Sequence, residues 1–433
     1  MAKKRASKRA SKRASSSGAT NKKLPLNQSI PLGIQHVFAM FAGNITVPLI
    51  VAGVFGVTTG EKIFLIQMSL FAAGVATIIQ GTSFAFIPIM LPFKAFGLGA
   101  IFTAAFIGGI FQIWIGKMLK PIRHMFPPLV TGIVVLMIGF SLLKVGFKYA
   151  GGGVWLMNNR PEIFANWHHL TIAGTVLIVA LLANLKGKGM ASAASILIGI
   201  VAGFIVAALL GEVRWAKIAA ADWFALPMPL QYGIDFVWGA VILMLFMSIV
   251  TTIETIGDIS ATTMGGANRE ATNKELSGGI MADGVGTAFA SIFNAMPNTS
   301  YSQNAGLVAF TGVISRHVGT VAGVILILLG LFPKLGGIIA AMPDSVIGGA
   351  AIIMFGLIAG AGIKLISKSE MSQRNVLILA LSLSFGIGLY AFPEFVAHVP
   401  DLGIKLGLLL TTGLIPAGLL AFILNATLPI PKK

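Results

Sequence analysis

Residues 191–211 read ASAASILIGIVAGFIVAALLG, a run with no charge in it. A helix rises 1.5 Å per residue and the hydrocarbon core of a bilayer is roughly 30 Å thick, so a run of this length can cross it. One such run could be the buried core of a soluble protein. Composition decides against that: of 433 residues, 56% are hydrophobic and only 10% are charged. A soluble domain carries about 25% charged residues, so most of this surface must face lipid. The chain is expected to be an all-α polytopic membrane protein. It contains no cysteine, which excludes disulfides, thiolate metal sites and cysteine nucleophiles.

A formal net charge of +17 by itself suggests a nucleic-acid binder, but the charge is unevenly placed. Nine of the 31 Lys and Arg precede Ile30, in MAKKRASKRASKRASSSGATNKK. That stretch is low in complexity and has no apolar h-region, so it is not a signal peptide. A basic arm next to a span favours the cytoplasmic side and its anionic lipids, with no nucleic acid required. Residues 1–29 are therefore read as a disordered basic cytoplasmic tail, 30–427 as the transmembrane domain and 428–433 as a short cytoplasmic tail.

Turn and charge signals divide the domain into about fourteen apolar segments, centred near 45, 72, 89, 107, 136, 177, 202, 244, 286, 307, 324, 353, 384 and 414. With the N-terminus inside, 22 Lys and Arg fall on the inner side and nine on the outer, which fits the positive-inside rule with both termini cytoplasmic. The third and tenth segments are short and broken by Gly, Pro and polar residues. They open alike, GTSFAF at 81–86 and NTSYSQ at 298–303, with the T-S-aromatic-small pattern 217 residues apart. Seven segments followed by seven more would place the two copies in opposite orientations. Inverted repeats over 30–211 and 232–427 are expected, with the broken segments meeting near the midplane. Irregular backbone cannot face lipid, so TSYSQNAG (299–306) should line a site or a packed interface. Gly306 permits a close approach of backbone, whether to a ligand or to another helix.

Segment eight, VILMLFMSIVTTIETIGDISATT, carries Glu254 and, four residues on and on the same helical face, Asp258. A carboxylate at that depth costs roughly 2.5 kcal/mol or more if left in lipid, so it must face the interior, pair, or accept a proton. Glu254 is the leading candidate for hydrogen bonding and proton coupling. For Asp258, nearer the cytoplasmic end, a gate or support role and direct binding both fit. His36, in GIQHVFAMFAGNITVP, can donate to a carboxylate or cap the chain entry. Asp283, in GGIMADGVG, suits a proton pathway or a pairing with a polar helix end. Asn44 and Asn294 are buried polar candidates without assigned chemistry. The amide of Gln303 offers a donor and an acceptor, which suits the N–H and C=O edge of a planar heterocycle, and Asn304 can brace it. Phe84, Phe86 and Tyr301 can cover the ring faces or serve as ordinary packing.

These motifs resemble the nucleobase–ascorbate, or nucleobase–cation symporter-2, family. The family signature is Q/E-N-x-G-x-x-x-x-T followed by Gly, Arg or Lys; here it reads Gln303, Asn304, Ala305, Gly306, Thr311 and Gly312. GIQHVFAMF around His36, QGTSFAFIP around Phe84, FPPLVTG at 126–132, the ET-x-GD form of Glu254 and Asp258, and the ADG around Asp283 agree with it. The resemblance runs from about residue 30 to the last span. It implies fourteen spans in two inverted seven-segment repeats, divided into core and gate domains, usually dimeric, in a bacterial-type inner membrane. It also implies substrate between the third and tenth segments and proton symport, with the proton as coupling ion and no cofactor. The binding acid then matches Glu254 and the second binding side chain matches Gln303. Ser83, Phe84, Ala85, Tyr301 and Gly306 shape the site, and His36, Asp258, Asp283 and Asn304 support affinity, gating or coupling. Uracil carriers of the family tend to have Glu at the position of Gln303. Xanthine and uric acid carriers tend to have Gln, often followed by the SR seen in Ser315 and Arg316. The expected substrate is therefore an oxidised purine, with uracil and anion carriers of the same architecture as alternatives. A membrane enzyme is disfavoured by the lack of a metal-ligand cluster or a nucleotide loop.

Overall fold

The computed structural model describes residues 24–79, 86, 96–119, 127–188, 190–301, 304, 307–308, 311, 313–399, 407 and 410–429. Ser83, Phe84, Ala85, Gln303 and Gly306 lie outside the described residues, as do both tails beyond these limits. The main helices are α1 Leu26–Phe55, α2 Thr59–Ile79, α3 Gly97–Lys117, α4 Pro128–Ala150, α5 Trp167–Lys186, α6 Ser195–Leu209, α7 Trp238–Ala267, α8 Asn273–Ile292, α9 Arg316–Gly330, α10 Pro333–Ala341, α11 Asp344–Ile366, α12 Gln373–Ala391 and α13 Leu414–Thr427. Eight are long and apolar enough to cross a membrane, or nine if α9 and α10, bent by 77° at their junction, count as one. The shorter α6 and α13 are also apolar. Twelve of the fourteen expected centres, all but those near 89 and 307, fall within one of these helices.

Local chemistry explains several helix ends. Pro127 and Pro128 start α4, where a missing N–H costs nothing. The Thr272 hydroxyl accepts the Glu275 N–H at the start of α8 while the Glu275 carboxylate accepts the Thr272 N–H, and Arg269 clamps the same carboxylate at 2.5 and 2.8 Å. Gly56 ends α1 in the left-handed region, which a side chain would resist.

The helices pack as two bundles. One comprises α1, α2, α3, α7, α8 and α9, with α10 against α2. The other comprises α4, α5, α6, α11, α12 and α13. Contacts between the bundles are sparse, chiefly α1 with α6 and α11, and α7 with α4. Within them the pairings recur in matched sets. α3 packs on α7 and α8 as α9 packs on α1 and α2, and α5 packs on α6 and α11 as α12 packs on α13 and α4. Between helices in lipid, association relies on close van der Waals fit and therefore on small residues. The most extensive pair, α4 with α11, meets through Gly348 over the Ala150 backbone, Gly139 against Ala359, and Gly362 against Leu136. Gly109 of α3 meets Gly284 of α8, and Gly323 of α9 meets Gly74 of α2.

Candidate substrate and proton site

The stretch Asn298–Tyr301 follows α8 and lies between α7, α8 and α1 without being helical. Its backbone cannot rely on water, so neighbouring side chains satisfy it. The Thr287 hydroxyl donates to the Asn298 carbonyl and accepts the Asn298 N–H, both at 3.0 Å, and Asn298 Nδ2 donates to the Gly286 carbonyl at 3.1 Å. The hydroxyls of this stretch then reach the carboxylates. Ser300 donates to Asp258 Oδ2 at 2.6 Å, and Thr299 donates to Asp283 Oδ2 at 3.4 Å. Thr255, one residue after Glu254, also donates to Asp283 Oδ2 and lies 3.2 Å from the Thr299 hydroxyl.

Asp283 is wholly buried, and its Oδ1 has no hydrogen-bond partner among the described residues. It accepts hydroxyls from another helix and from the irregular segment. Glu254 is half-buried and makes no hydrogen bond among the described residues; Asp258 and Asp283 are the charged groups that face it. Two carboxylates, Asp258 of α7 and Asp283 of α8, therefore meet the irregular segment, and Glu254 lies one turn before Asp258 on α7.

The fourth side of the site is α1. Tyr301 donates its hydroxyl to Asn44 Oδ1 at 3.1 Å, so Asn44, read from sequence as a polar residue without a role, anchors the irregular segment. Asn304 Nδ2 lies 3.9 Å from the sulfur of Met40, its Oδ1 is buried without a partner among the described residues, and the half-buried His36 stands one turn before Met40 on α1. Among the described residues His36 forms no ion pair with a carboxylate. Asn294 belongs elsewhere: at a left-handed turn after α8, its side chain accepts the Tyr232 N–H and donates to the Met228 carbonyl, tying down the preceding loop. Phe86 is fully buried in the main core.

Between these elements lies a cavity of about 260 Å³, walled by Met40, Thr77, Asp258, Thr262, Tyr301 and Asn304 among others. Asp258 reaches this wall, while Glu254 lies one turn earlier on α7. Thr299 and Ser300 belong to the stretch expected to line a site, whereas nothing in the sequence marks Thr255 or Thr287 beyond the clustering of hydroxyl residues beside each acid. No group of three or more His, Asp or Glu side chains placed to hold a metal ion occurs among the described residues.

The model of the Xan_ur_permease family, described as a permease family, matches residues 27–395. The xanthine permease of Bacillus subtilis (strain 168) is 35% identical over 94% of this chain and 95% of its own length. The uric acid permease PucJ of the same organism is 34% identical over 93% of each chain. The xanthine permease XanP of Escherichia coli (strain K12) is 33% identical over 94% of each. Among solved structures, the transmembrane domain of the cyanobacterial bicarbonate transporter BicA aligns with a TM-score of 0.60 at 16% identity, covering 94% of this chain and all of that one. At that identity the likeness concerns the fold alone. A match across most of the chain to permeases, on a fold shared with a transporter, makes this a membrane transporter and not an enzyme. The chain belongs to the Xan_ur_permease family, the nucleobase–cation symporter-2 permeases.

Proposed function

We propose that the protein is a proton-coupled uptake symporter for an oxidised purine nucleobase, xanthine or uric acid, working by alternating access. The observation that carries the reading is the meeting of Asp258 and Asp283 with the irregular Asn298–Tyr301 stretch, beside a cavity walled by Asp258 and Tyr301, with Glu254 one turn before Asp258 on α7. The relatives named for xanthine and uric acid, and Gln303 at the position where uracil carriers tend to have Glu, support the purine assignment.

The matched packing sets support two inverted seven-segment repeats over 30–211 and 232–427. In that reading α1, α2 and α3 correspond to α7, α8 and α9, and α4, α5 and α6 to α11, α12 and α13. The first bundle is then the core that carries substrate, and the second is the gate. Their sparse mutual contacts suit a relative motion of the two. The chain sits in a bacterial-type inner membrane with its basic tail cytoplasmic, and forms a homodimer.

In the proposed cycle the outward-facing site takes a proton at Glu254 and a purine between Gln303 and the wall formed by Ser83, Phe84, Ala85, Tyr301 and Gly306. A protonated Glu254 can donate as well as accept a hydrogen bond. His36 and Asn304 brace the tenth segment, while Asp258 and Asp283 couple it to α7 and α8. One proton moving down 100 mV releases about 2.3 kcal/mol, enough for roughly fifty-fold accumulation. The test is uptake of radiolabelled xanthine and urate into proteoliposomes with an inward proton gradient, with and without a protonophore. Gradient-dependent uptake of either is expected, and Glu254→Gln should lose the uphill component while still binding ligand. Uphill uptake surviving in Glu254→Gln refutes the coupling role. Uptake of uracil that neither purine competes refutes the substrate.

A further inference from the structure

Two of the chain's crossings between the bundles touch each other. One runs from α6 of the second bundle to α7 of the first and contains a short helix, Trp215–Ala219. The other runs from α9 of the first bundle through α10 to α11 of the second. They meet at Gly337 of α10. A Cβ there would lie 2.8 Å from Ala221 Cβ and 3.2 Å from the Lys217 carbonyl oxygen, so a glycine is what lets the two backbones come this close.

The last carbonyls of a helix have no partner within it, and here each crossing supplies the other's. Lys217 Nζ donates to the Ala340 carbonyl, in the last turn of α10, at 3.3 Å. Lys334 Nζ donates to the carbonyls of Ala219 and Ala221, at the end of the short helix, at 3.3 and 3.0 Å. It also lies 5.2 Å from the centre of the Trp223 ring. Both lysines are half-buried. The ion pairs among the described residues are His168–Glu212 and Arg269–Glu275, so no described carboxylate diverts either ammonium from these carbonyls. Asp344 acts on Lys217 electrostatically without closing an ion pair. Hydrogen bonds from a charged donor are roughly twice as strong as neutral ones.

The first bundle holds both crossings. Gln67 of α2 donates to the Ala225 carbonyl at 2.9 Å, and the Ala225 N–H donates to the Leu331 carbonyl of the other crossing at 3.3 Å. The Leu230 N–H donates to the Ile292 carbonyl at the end of α8, and the Asp235 N–H to the Thr103 hydroxyl of α3. Gly336 of α10 lies against Ile63 of α2. The second bundle takes hold only at Glu212, 2.9 Å from His168 Nδ1 of α5, and at Asp344, which opens α11. Two short pieces remain between these holds, Val213–Arg214 and Met342–Pro343. Arg214 is not helical, at φ −90° and ψ 77°, and Met342 and Pro343 are extended, with ψ of 135° and 147°. A few residues of this kind are enough to absorb a hinge motion.

We propose that Lys217 and Lys334 are positioning residues for transport: they clasp the two crossings into one body that travels with the first bundle, and so confine bending to Val213–Arg214 and Met342–Pro343. This rests on the core-and-gate motion proposed above. Without the clasp, a displacement of the core is taken up by slack in the crossings and not by the two hinges.

Hydrogen–deuterium exchange of the full chain in nanodiscs reads the clasp with no substrate present. Lys334→Met should speed exchange about tenfold in 333–341 and in 217–221 alike, the factor that follows from losing hydrogen bonds to a charged group. Lys334→Arg, which keeps a charged donor, should not. Unchanged exchange in Lys334→Met, or a change confined to 333–341, overturns the proposal. Proteoliposome uptake reads the consequence. Lys334→Met should lower the maximal rate and leave the half-saturating concentration unchanged. Adding Ala221→Cys and Gly337→Cys, in a chain with no other cysteine, should restore the rate once the pair is oxidised. A disulfide spans about 3.5–4.5 Å between Cβ atoms, so a shift of under about 2 Å at this contact admits one. A disulfide that itself stops uptake until a reductant is added means that the crossings part during transport, and overturns the proposal. Failure of the parent protein to carry either purine refutes the purine reading alone, since the exchange result stands without it.

Discussion

Thr255→Val keeps the shape of the side chain and its branching at Cβ, and deletes one hydroxyl. That hydroxyl bonds to Asp283 Oδ2 and lies 3.2 Å from the Thr299 hydroxyl and 2.9 Å from the Thr251 carbonyl. Without it Asp283 retains Thr299, at 3.4 Å, as its one side-chain donor among the described residues. Hydrogen bonds between membrane helices average only about 0.6 kcal/mol and reach about 1.7. Bonds to charged groups reach about 1.5–3 kcal/mol. Asp283 is wholly buried, so water cannot replace the donor, and the upper part of the first range applies. Thr299 can move closer, which caps the loss. We expect Thr255→Val to cost about 1.5 kcal/mol, read from unfolding by sodium dodecyl sulfate in mixed micelles. The sharper test is the double-mutant cycle with Asp283→Asn. If the bond holds α7 to α8 as described, the double variant loses at least about 1 kcal/mol less than the sum of the singles. Additivity to within about 0.5 kcal/mol would refute the network.

Two further expectations follow from packing and charge. A Cβ at Gly348 would lie 1.9 Å from the Ala150 backbone nitrogen, whereas one at Gly356 of the same helix would meet nothing within 4 Å. Gly348→Ala should therefore destabilise by about 1–3 kcal/mol or more through overpacking, while Gly356→Ala should stabilise by up to about 1 kcal/mol; thermal unfolding of the two side by side checks this. Lys217 lies in the connection between α6 and α7, and burial, with Lys62 and Arg214 nearby, lowers its pKa from 10.5 to about 8. The folded chain then binds fewer protons than the unfolded one between those values, so this group makes stability rise as pH climbs from about 8 to 10.5. Lys217→Gln should flatten that part of the stability–pH curve, and an unchanged slope would remove Lys217 as its source.

The membrane class and most helices were legible in the sequence because they depend on composition and length. A run such as 195–209 is apolar whatever its neighbours do, and a helix satisfies its own backbone. The pairing of Glu254 with Asp258 was legible for the same reason, since residues four apart on one helix share a face. The rest depended on contacts between residues far apart in the chain. Nothing local in Asn44 announces Tyr301, and Asn294, equally buried and of the same chemistry, holds a loop instead. Nor does the sequence say that Thr255 and Thr299 share Asp283, or that Asp258 and not Glu254 reaches the cavity wall. By itself the sequence determined which segments are apolar enough to form membrane helices and which ionisable residues those segments carry. Only the tertiary structure decided which hydroxyl meets which carboxylate, because a buried polar group takes its partner from whatever helix the packing brings within hydrogen-bond distance.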